Sequence, residues 1–177
     1  MKIVIGALLS VLSITSALAE TVLITGTNRG IGLEFVKQYA ERGATIIATA
    51  RRPSEAKELL ALAAQHPKVT IEALDVTDVA AIEALALKYR GKPIDILINN
   101  AGTLGDVPKQ SIGSLDQAEF LYVINANTYG ALKMAEAFKP NLAASTQKKV
   151  FGMSSGLGSS AMVTRRGGFY AYRASKA

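Results

Sequence analysis

Tyr172 and Lys176 stand four positions apart near the end of a 177-residue chain, in the run Tyr170-Ala171-Tyr172-Arg173-Ala174-Ser175-Lys176. On a helix that spacing puts both side chains on one face, about a turn apart. A free tyrosine titrates near pH ~10, and an ammonium beside it favours tyrosinate, bringing the phenol closer to the working pH of a general acid or base. Such a pair is common on helix surfaces, so its meaning depends on what else the chain carries. Tyr170 has Ala174 four positions on instead of a lysine and reads as a pocket wall. Upstream, Phe151-Gly152-Met153-Ser154-Ser155-Gly156 closes an apolar run. A serine hydroxyl there can donate to an oxygen as negative charge develops on it.

A second group with chemical potential is Thr25-Gly26-Thr27-Asn28-Arg29-Gly30-Ile31-Gly32. Glycines permit a tight turn and let backbone N–H groups approach a pyrophosphate, while a following helix N-terminus offers unpaired donors and a partial positive charge. About 20 positions further on, NAD-preferring sites carry an acid for the ribose 2′-hydroxyl. This chain has Ala50-Arg51-Arg52 there. Arg51, together with Arg29, can make charge-assisted bonds to a 2′-phosphate, so NADP(H) is the expected cofactor. The plainer alternative is that Arg51 and Arg52 are solvated surface charges.

The elements that would position these groups alternate strand and helix from Glu20 onward, the pattern of βαβ units and a parallel sheet. Strands are expected at Thr21–Thr25, Ala44–Ala50, Val69–Leu74, Ile94–Ile98 and Lys149–Met153. Helices are expected from Ile31 to Arg42 with Gly43 as the stop, Ser54 to Gln65 between two prolines, and Asp78 to Arg90 before Gly91. One long helix should run from Leu115 to Phe138 and end before Pro140, and another should begin near Tyr170. The Ser- and Gly-rich stretch Gly152 to Gly168 is the one long loop expected. The fold class is α/β, a doubly wound parallel sheet of the Rossmann type, with its ligand site beyond the strand C-termini where strand order reverses.

In the order G-x-x-x-G-x-G, the glycine loop departs from the G-x-G-x-x-G fingerprint and resembles the form carried by short-chain dehydrogenases/reductases. Asn99-Asn100-Ala101-Gly102 and the Tyr172/Lys176 pair fall in the order that family has them, and the resemblance spans Thr21 to Ala177. More narrowly, Thr-Asn-Arg-Gly and Tyr-Ala-Tyr-Arg-Ala-Ser-Lys are similar to the carbonyl-reductase-like branch related to C-signal factors. The resemblance implies hydride transfer between NADP(H) and a carbonyl or alcohol. It implies that Gly26, Thr27, Asn28, Arg29, Gly30, Ile31, Gly32, Arg51, Asp75, Val76, Asn99, Ala101 and Gly102 bind the cofactor. Asp75 would bond the adenine ring, and Asn99-Asn100-Ala101-Gly102 would brace the sheet and line the adenine ribose. Tyr172 would exchange the substrate proton, and Lys176 would also bond the nicotinamide ribose. Ser155 would polarise the carbonyl, and Asn125 would hold a water in a relay to the lysine. The interval from Ser155 to Tyr172 is longer than the family's usual one, which leaves Ser154 and Ser159 open, and Asn127 is the register alternative to Asn125.

Family members usually continue for two strands and a substrate loop past the catalytic helix. The expectation is therefore a C-terminally incomplete domain of low activity, forming a homo-oligomer only in a longer form. A catalytically silent nucleotide-binding piece or a non-enzymatic signalling protein is the alternative. The first 19 residues differ from the rest: Lys2, an apolar run, then Ala17-Leu18-Ala19 before Glu20, the pattern of a cleaved secretory signal. The run is shorter than the ~20 residues of a membrane span, so periplasmic or secreted location without stable membrane insertion is expected, with cytoplasmic as the alternative. The formal charge of +6 comes from dispersed Lys and Arg with no aromatic-laced basic stripe, which argues against nucleic acid. There is no cysteine, and the single histidine, His66, precedes Pro67 at a helix end, so no metal site is expected.

Overall fold

The computed structural model describes residues 20–162 and 167–177; the expected signal segment and the Arg165-Arg166 cluster lie outside them. Five parallel strands form one sheet: β1 (Thr21–Ile24), β2 (Thr45–Ala50), β3 (Val69–Ala73), β4 (Ile96–Asn99) and β5 (Lys149–Gly152), in the order β3-β2-β1-β4-β5. The order reverses at β1, so the crevice beyond the C-terminal ends of β1 and β4 is where a ligand belongs.

Alternation along the strands fills two cores. Val22, Ile24, Ile46, Ala48 and Ile98 face one way and pack with Val36 of α1 (Gly30–Glu41) and Leu59 of α2 (Lys57–Gln65). Leu23, Ile47 and Leu97 face the other way, onto Ile82 and Leu85 of α3 (Val79–Lys88) and onto Met134 and Phe138. The central strands are thus covered on both sides, the usual condition for a parallel sheet, and each fully buried aliphatic or aromatic side chain contributes about 1.5–3 kcal/mol. On the outer strand β3, the Glu72 carboxylate accepts from Lys88 Nζ at 2.7 Å and from the Tyr89 hydroxyl at 2.7 Å, tying α3 to the sheet edge. Burial first, and the bond to Glu72 second, push the Tyr89 phenol well above its ordinary pKa.

Several boundaries differ from the sequence expectation. The segment after Pro53 opens with a 3₁₀ turn, Pro53–Glu55, and turns α-helical only at Lys57. Asp78 and Asp116 are N-caps rather than first-turn residues, accepting from Ala81 N and Glu119 N. The single helix expected from Leu115 to Phe138 is two, α4 (Gln117–Ile124) and α5 (Gly130–Ala137), joined without a break in direction by a π-turn at Asn125–Tyr129. It ends at Ala137, ahead of Pro140 as expected, and Pro140 itself sits in the first turn of a separate helix, α6 (Lys139–Ala143), where a missing N–H is harmless. Gly152–Gly168 is not the only long connection: 101–116 joins β4 to α4 with one 3₁₀ turn, Val107–Gln110. No periodicity marks this segment in the sequence. The last helix is α7 (Tyr170–Lys176). None of the described helices is long and apolar enough to cross a membrane.

Candidate active site

Strand β1 ends at Ile24, and the chain turns through Thr25–Arg29 into α1. Gly30 sits at φ +60 with nothing within 4 Å of where a Cβ would be, so its backbone faces open space. Gly32 is the reverse case. A Cβ there would run into the Gly26 carbonyl oxygen and lie 2.5 Å from Asn100 Nδ2, so only glycine lets the helix start this close to the loop. The groove so formed has a volume of about 440 Å³. Its walls are Asn28 to Gly32 on one side and Asp75, Val76, Asn100, Ala101 and Gly102 on the other. The adjoining N-terminus of α1 supplies donors and positive potential for a phosphate.

Two arginines stand at the β2 end. Arg52 is held at 3.2 Å by Glu55, whereas Arg51, exposed and lining the groove, has no ion-pair partner among the described residues. Arg29 lines the same groove from the loop. The Asp75 carboxylate accepts from the Thr77 N–H at 2.9 Å and the Thr77 hydroxyl at 2.7 Å, which fixes the turn beyond β3.

Two of the expected cofactor residues turn away from the groove. Thr27 is fully buried, and both its N–H (2.9 Å) and its hydroxyl (3.0 Å) donate to the Thr49 carbonyl, so it braces the loop against β2. Asn99 is buried and donates to the Ala131 carbonyl at 3.0 Å, fastening β4 to α5. Its neighbour Asn100 lies in the groove and donates to the carbonyls of Thr25 and Gly26, both at 2.9 Å, locking the two loops together.

At the other end of the groove lies α7. Lys176 Nζ donates to the Met153 carbonyl at 2.7 Å, and burial lowers its pKa from the ordinary lysine value. Tyr172 is half-buried. The two serines before it have different duties. Ser154 donates its hydroxyl proton to the Lys176 carbonyl at 2.8 Å. Ser155 Oγ accepts from the Leu157 N–H at 3.2 Å, an arrangement that leaves its own proton available. Asn127, not Asn125, reaches this face: its amide accepts from Thr103 N–H at 2.7 Å and donates to the Thr103 carbonyl at 2.8 Å and to Ser175 Oγ at 2.9 Å. Asn125 lies on the other side, in a shallow surface recess with Leu121 and Tyr129. Two positions apart, Asn125 and Asn127 point to opposite sides of the helix, and the side that meets Thr103 and Ser175 is that of Asn127. A Cβ placed on Gly102 would be 2.9 Å from Asn127 Oδ1 and 3.6 Å from Lys176 Nζ, so the groove meets the Asn127–Lys176 face there.

The short chain dehydrogenase family model matches residues 20–177. The chain belongs to the short chain dehydrogenase family. Galactitol 2-dehydrogenase of Rhizobium johnstonii is 34% identical over 122 residues, 67% of this chain and 46% of that protein. NADPH-dependent pterin aldehyde reductase of Arabidopsis thaliana is 31% identical over 145 residues, 80% of this chain and 59% of that protein. Among solved structures, the NADPH-bound carbonyl reductase from chicken fatty liver superposes with a TM-score of 0.80 at 33% identity, covering 89% of this chain and 69% of that one. The chain therefore spans about half the length of these two curated relatives.

In this short chain dehydrogenase the loop glycines, Asn28, Arg29, Ile31, Arg51, Asp75, Val76, Ala101 and Gly102 all line one groove. The sequence reading missed Gln110 and Ser175 altogether. Gln110 is completely buried, accepting from the Tyr172 N–H at 2.9 Å and donating to the Leu104 carbonyl at 2.7 Å. Nothing in its local pattern marks it. Ser175 lies inside the Tyr–Lys run, but its Oγ serves as the acceptor for Asn127 only once the π-turn and α7 are packed together.

Proposed function

We propose that this short chain dehydrogenase is an oxidoreductase that binds NADP(H) in the glycine groove and acts on a small carbonyl or alcohol. The observation that carries the reading is the junction at Gly102, where a groove with phosphate-binding backbone runs directly into Lys176 and Asn127. The open backbone at Gly30 and the arginine pair of one tied and one untied guanidinium suit a dinucleotide carrying an extra phosphate. Two relatives point the same way: one is named as NADPH-dependent and another is an NADPH-bound carbonyl reductase.

When bound, the nicotinamide supplies or accepts the hydride. Tyr172 hands a proton to the carbonyl oxygen in reduction and takes it from the hydroxyl in oxidation. Ser155 donates a hydrogen bond to the same oxygen as charge develops, a role open to it because its Oγ acts as an acceptor toward Leu157. Ser154, engaged with the Lys176 carbonyl, serves the helix end instead. Lys176 orients the ribose hydroxyls and passes a proton outward, which its lowered pKa favours. Asn127 takes the place expected of Asn125, steadying the strip between loop 101–116 and α7. The leader-like first 19 residues favour export, which the mass of the mature chain would test.

Fluorescence titration with NADPH, followed by its oxidation in the presence of a panel of aldehydes and ketones, tests the proposal with the wild type beside Tyr172→Phe. Both proteins bind NADPH equally, and turnover falls by roughly 10²–10⁴-fold in the variant. Equal turnover in the two removes Tyr172 from the chemistry. Binding without turnover in either sinks the enzyme reading and leaves a nucleotide-binding protein.

A further inference from the structure

Helix α7 carries both Tyr172 and Lys176, yet it has only 7 residues, too few to be stable on its own. Its N-cap position is Phe169, in the left-handed region at φ +57, with no side chain capping the helix. An N-cap side chain ordinarily accepts from the N–H of the second or third helical residue. In α7 the third is Tyr172. That N–H is taken by Gln110 Oε1 at 2.9 Å, from a residue 62 positions earlier in the chain.

A long amide with no exposure at all is stable only if both its ends are paired. Here both are, and the second partner, the Leu104 carbonyl at 2.7 Å, belongs to the segment that leaves the groove after Gly102. Gly105 makes the space, since a Cβ there would stand 2.9 Å from Gln110 Nε2. We propose that Gln110 is a positioning residue for the reaction: its carboxamide caps the catalytic helix from outside and fixes the Tyr172 backbone to the loop that borders the groove. This rests on the oxidoreductase reading for its kinetic consequence, while the placement of the helix stands apart from it. Gln110 does not line the groove, so the cofactor should be bound whether or not the cap is present.

Gln110→Met keeps the length and bulk of the side chain and removes both hydrogen bonds. Gln110→Glu keeps the acceptor for Tyr172 and, in the protonated form that burial without a cation imposes, a donor for the Leu104 carbonyl. The readouts are hydrogen exchange at the Tyr172 amide, NADPH affinity by fluorescence, and kcat and KM for the best aldehyde of the panel. In Q110M the Tyr172 amide exchanges at least about tenfold faster. NADPH affinity stays within about twofold, and kcat falls by roughly 10²-fold with little change in KM, as expected from misplacing the proton donor by about an ångström. Q110E recovers the amide protection and most of the kcat, which a merely space-filling glutamine would not predict. Q110N, whose amide is one methylene too short to reach, gives the same loss of protection and serves if Q110M does not fold. Unchanged exchange at Tyr172 in a folded Q110M or Q110N overturns the proposal. If the wild type shows no turnover, the exchange result still decides the role of Gln110, and the failure belongs to the enzyme reading alone.

Discussion

The two ends of the groove are built by different means. At the nucleotide end the positions are set by backbone: strand ends of β1, β2 and β4 hold the loops, Thr27 fastens loop to strand, Asn100 fastens loop to loop, and the neighbouring strand residues are almost wholly buried. At the catalytic end a seven-residue helix is held by side chains from elsewhere: Gln110 at its N-terminus, Asn127 on Ser175, Ser154 on the Lys176 carbonyl, and Arg173 to the carbonyls of Gly168 and Leu157. Beside it, all four residues of β5 are exposed, with Phe151 at 49%. Backbone geometry inside a buried sheet changes little under most substitutions, whereas a set of side-chain clamps can be undone one at a time. The nucleotide end should therefore fail only at its tightest contacts, and the catalytic end at any clamp.

The sharpest way to break the first half of that contrast is Gly32→Val. Its side chain would have to displace the Gly26 carbonyl and the Asn100 amide that cross-links the loops. NADPH affinity should fall by roughly 10²-fold or more, about 2.7 kcal/mol, as read by fluorescence titration. The same substitution at Gly30 puts strain into the backbone but meets no neighbour, so its effect on binding must be the smaller of the two. Equal losses at Gly30 and Gly32 would mean that contact with the ligand, rather than close packing, is what the glycines provide.

This division also explains what could be read from the chain beforehand. Strands, helices and the glycine loop are local: Val22, Leu23 and Ile24 alternate into two cores, and Gly26, Gly30 and Gly32 sit within a few residues of the turn they make, so the sheet and the groove follow from short windows. Two of the clamps at the other end join residues 48 and 62 positions apart, Asn127 with Ser175 and Gln110 with Tyr172, and no short window contains both partners of either. The choice between Asn125 and Asn127 is of the same kind: they face opposite sides of the helix, and which side meets Thr103 and Ser175 is set by packing that no short window contains. The side chains of Thr27 and Asn99 turn from the groove for another reason. They lie inside ligand-binding motifs, but a motif names a stretch of chain, and within it some side chains must hold the stretch in place.

Asn127→Ala against Asn125→Ala tests the clamp reading on one helix. Removing the Asn127 amide leaves the part-buried Thr103 N–H and carbonyl without their partner, each costing up to about 1 kcal/mol where water can replace part of the bond. Thermal or urea unfolding should register that loss. Asn125, half-buried at the surface recess, should change stability by less than about 0.5 kcal/mol. Turnover should fall with Asn127→Ala and hold with Asn125→Ala. The opposite pattern would put Asn125 in the site and remove Asn127 from it.

The smallest effect expected concerns the two arginines, which the sequence presents as equals. Arg52 is engaged by Glu55 at 3.2 Å, while Arg51 faces the groove with no ion-pair partner among the described residues. A guanidinium already paired must give up that partner to bind a phosphate, whereas an unpaired one gains the whole interaction. Arg51→Ala should therefore weaken NADPH by about tenfold, 1.4 kcal/mol, and leave NADH within about twofold. Arg52→Ala should change either cofactor by less than about threefold, since exposed pairs are worth ~0–1 kcal/mol. Because both side chains are exposed, the Arg51 preference should shrink as salt is raised from 0.01 M toward 1 M and the screening length falls from about 30 Å to about 3 Å. A salt-independent preference would locate discrimination in the buried loop instead, and would make even this end of the groove a matter of backbone.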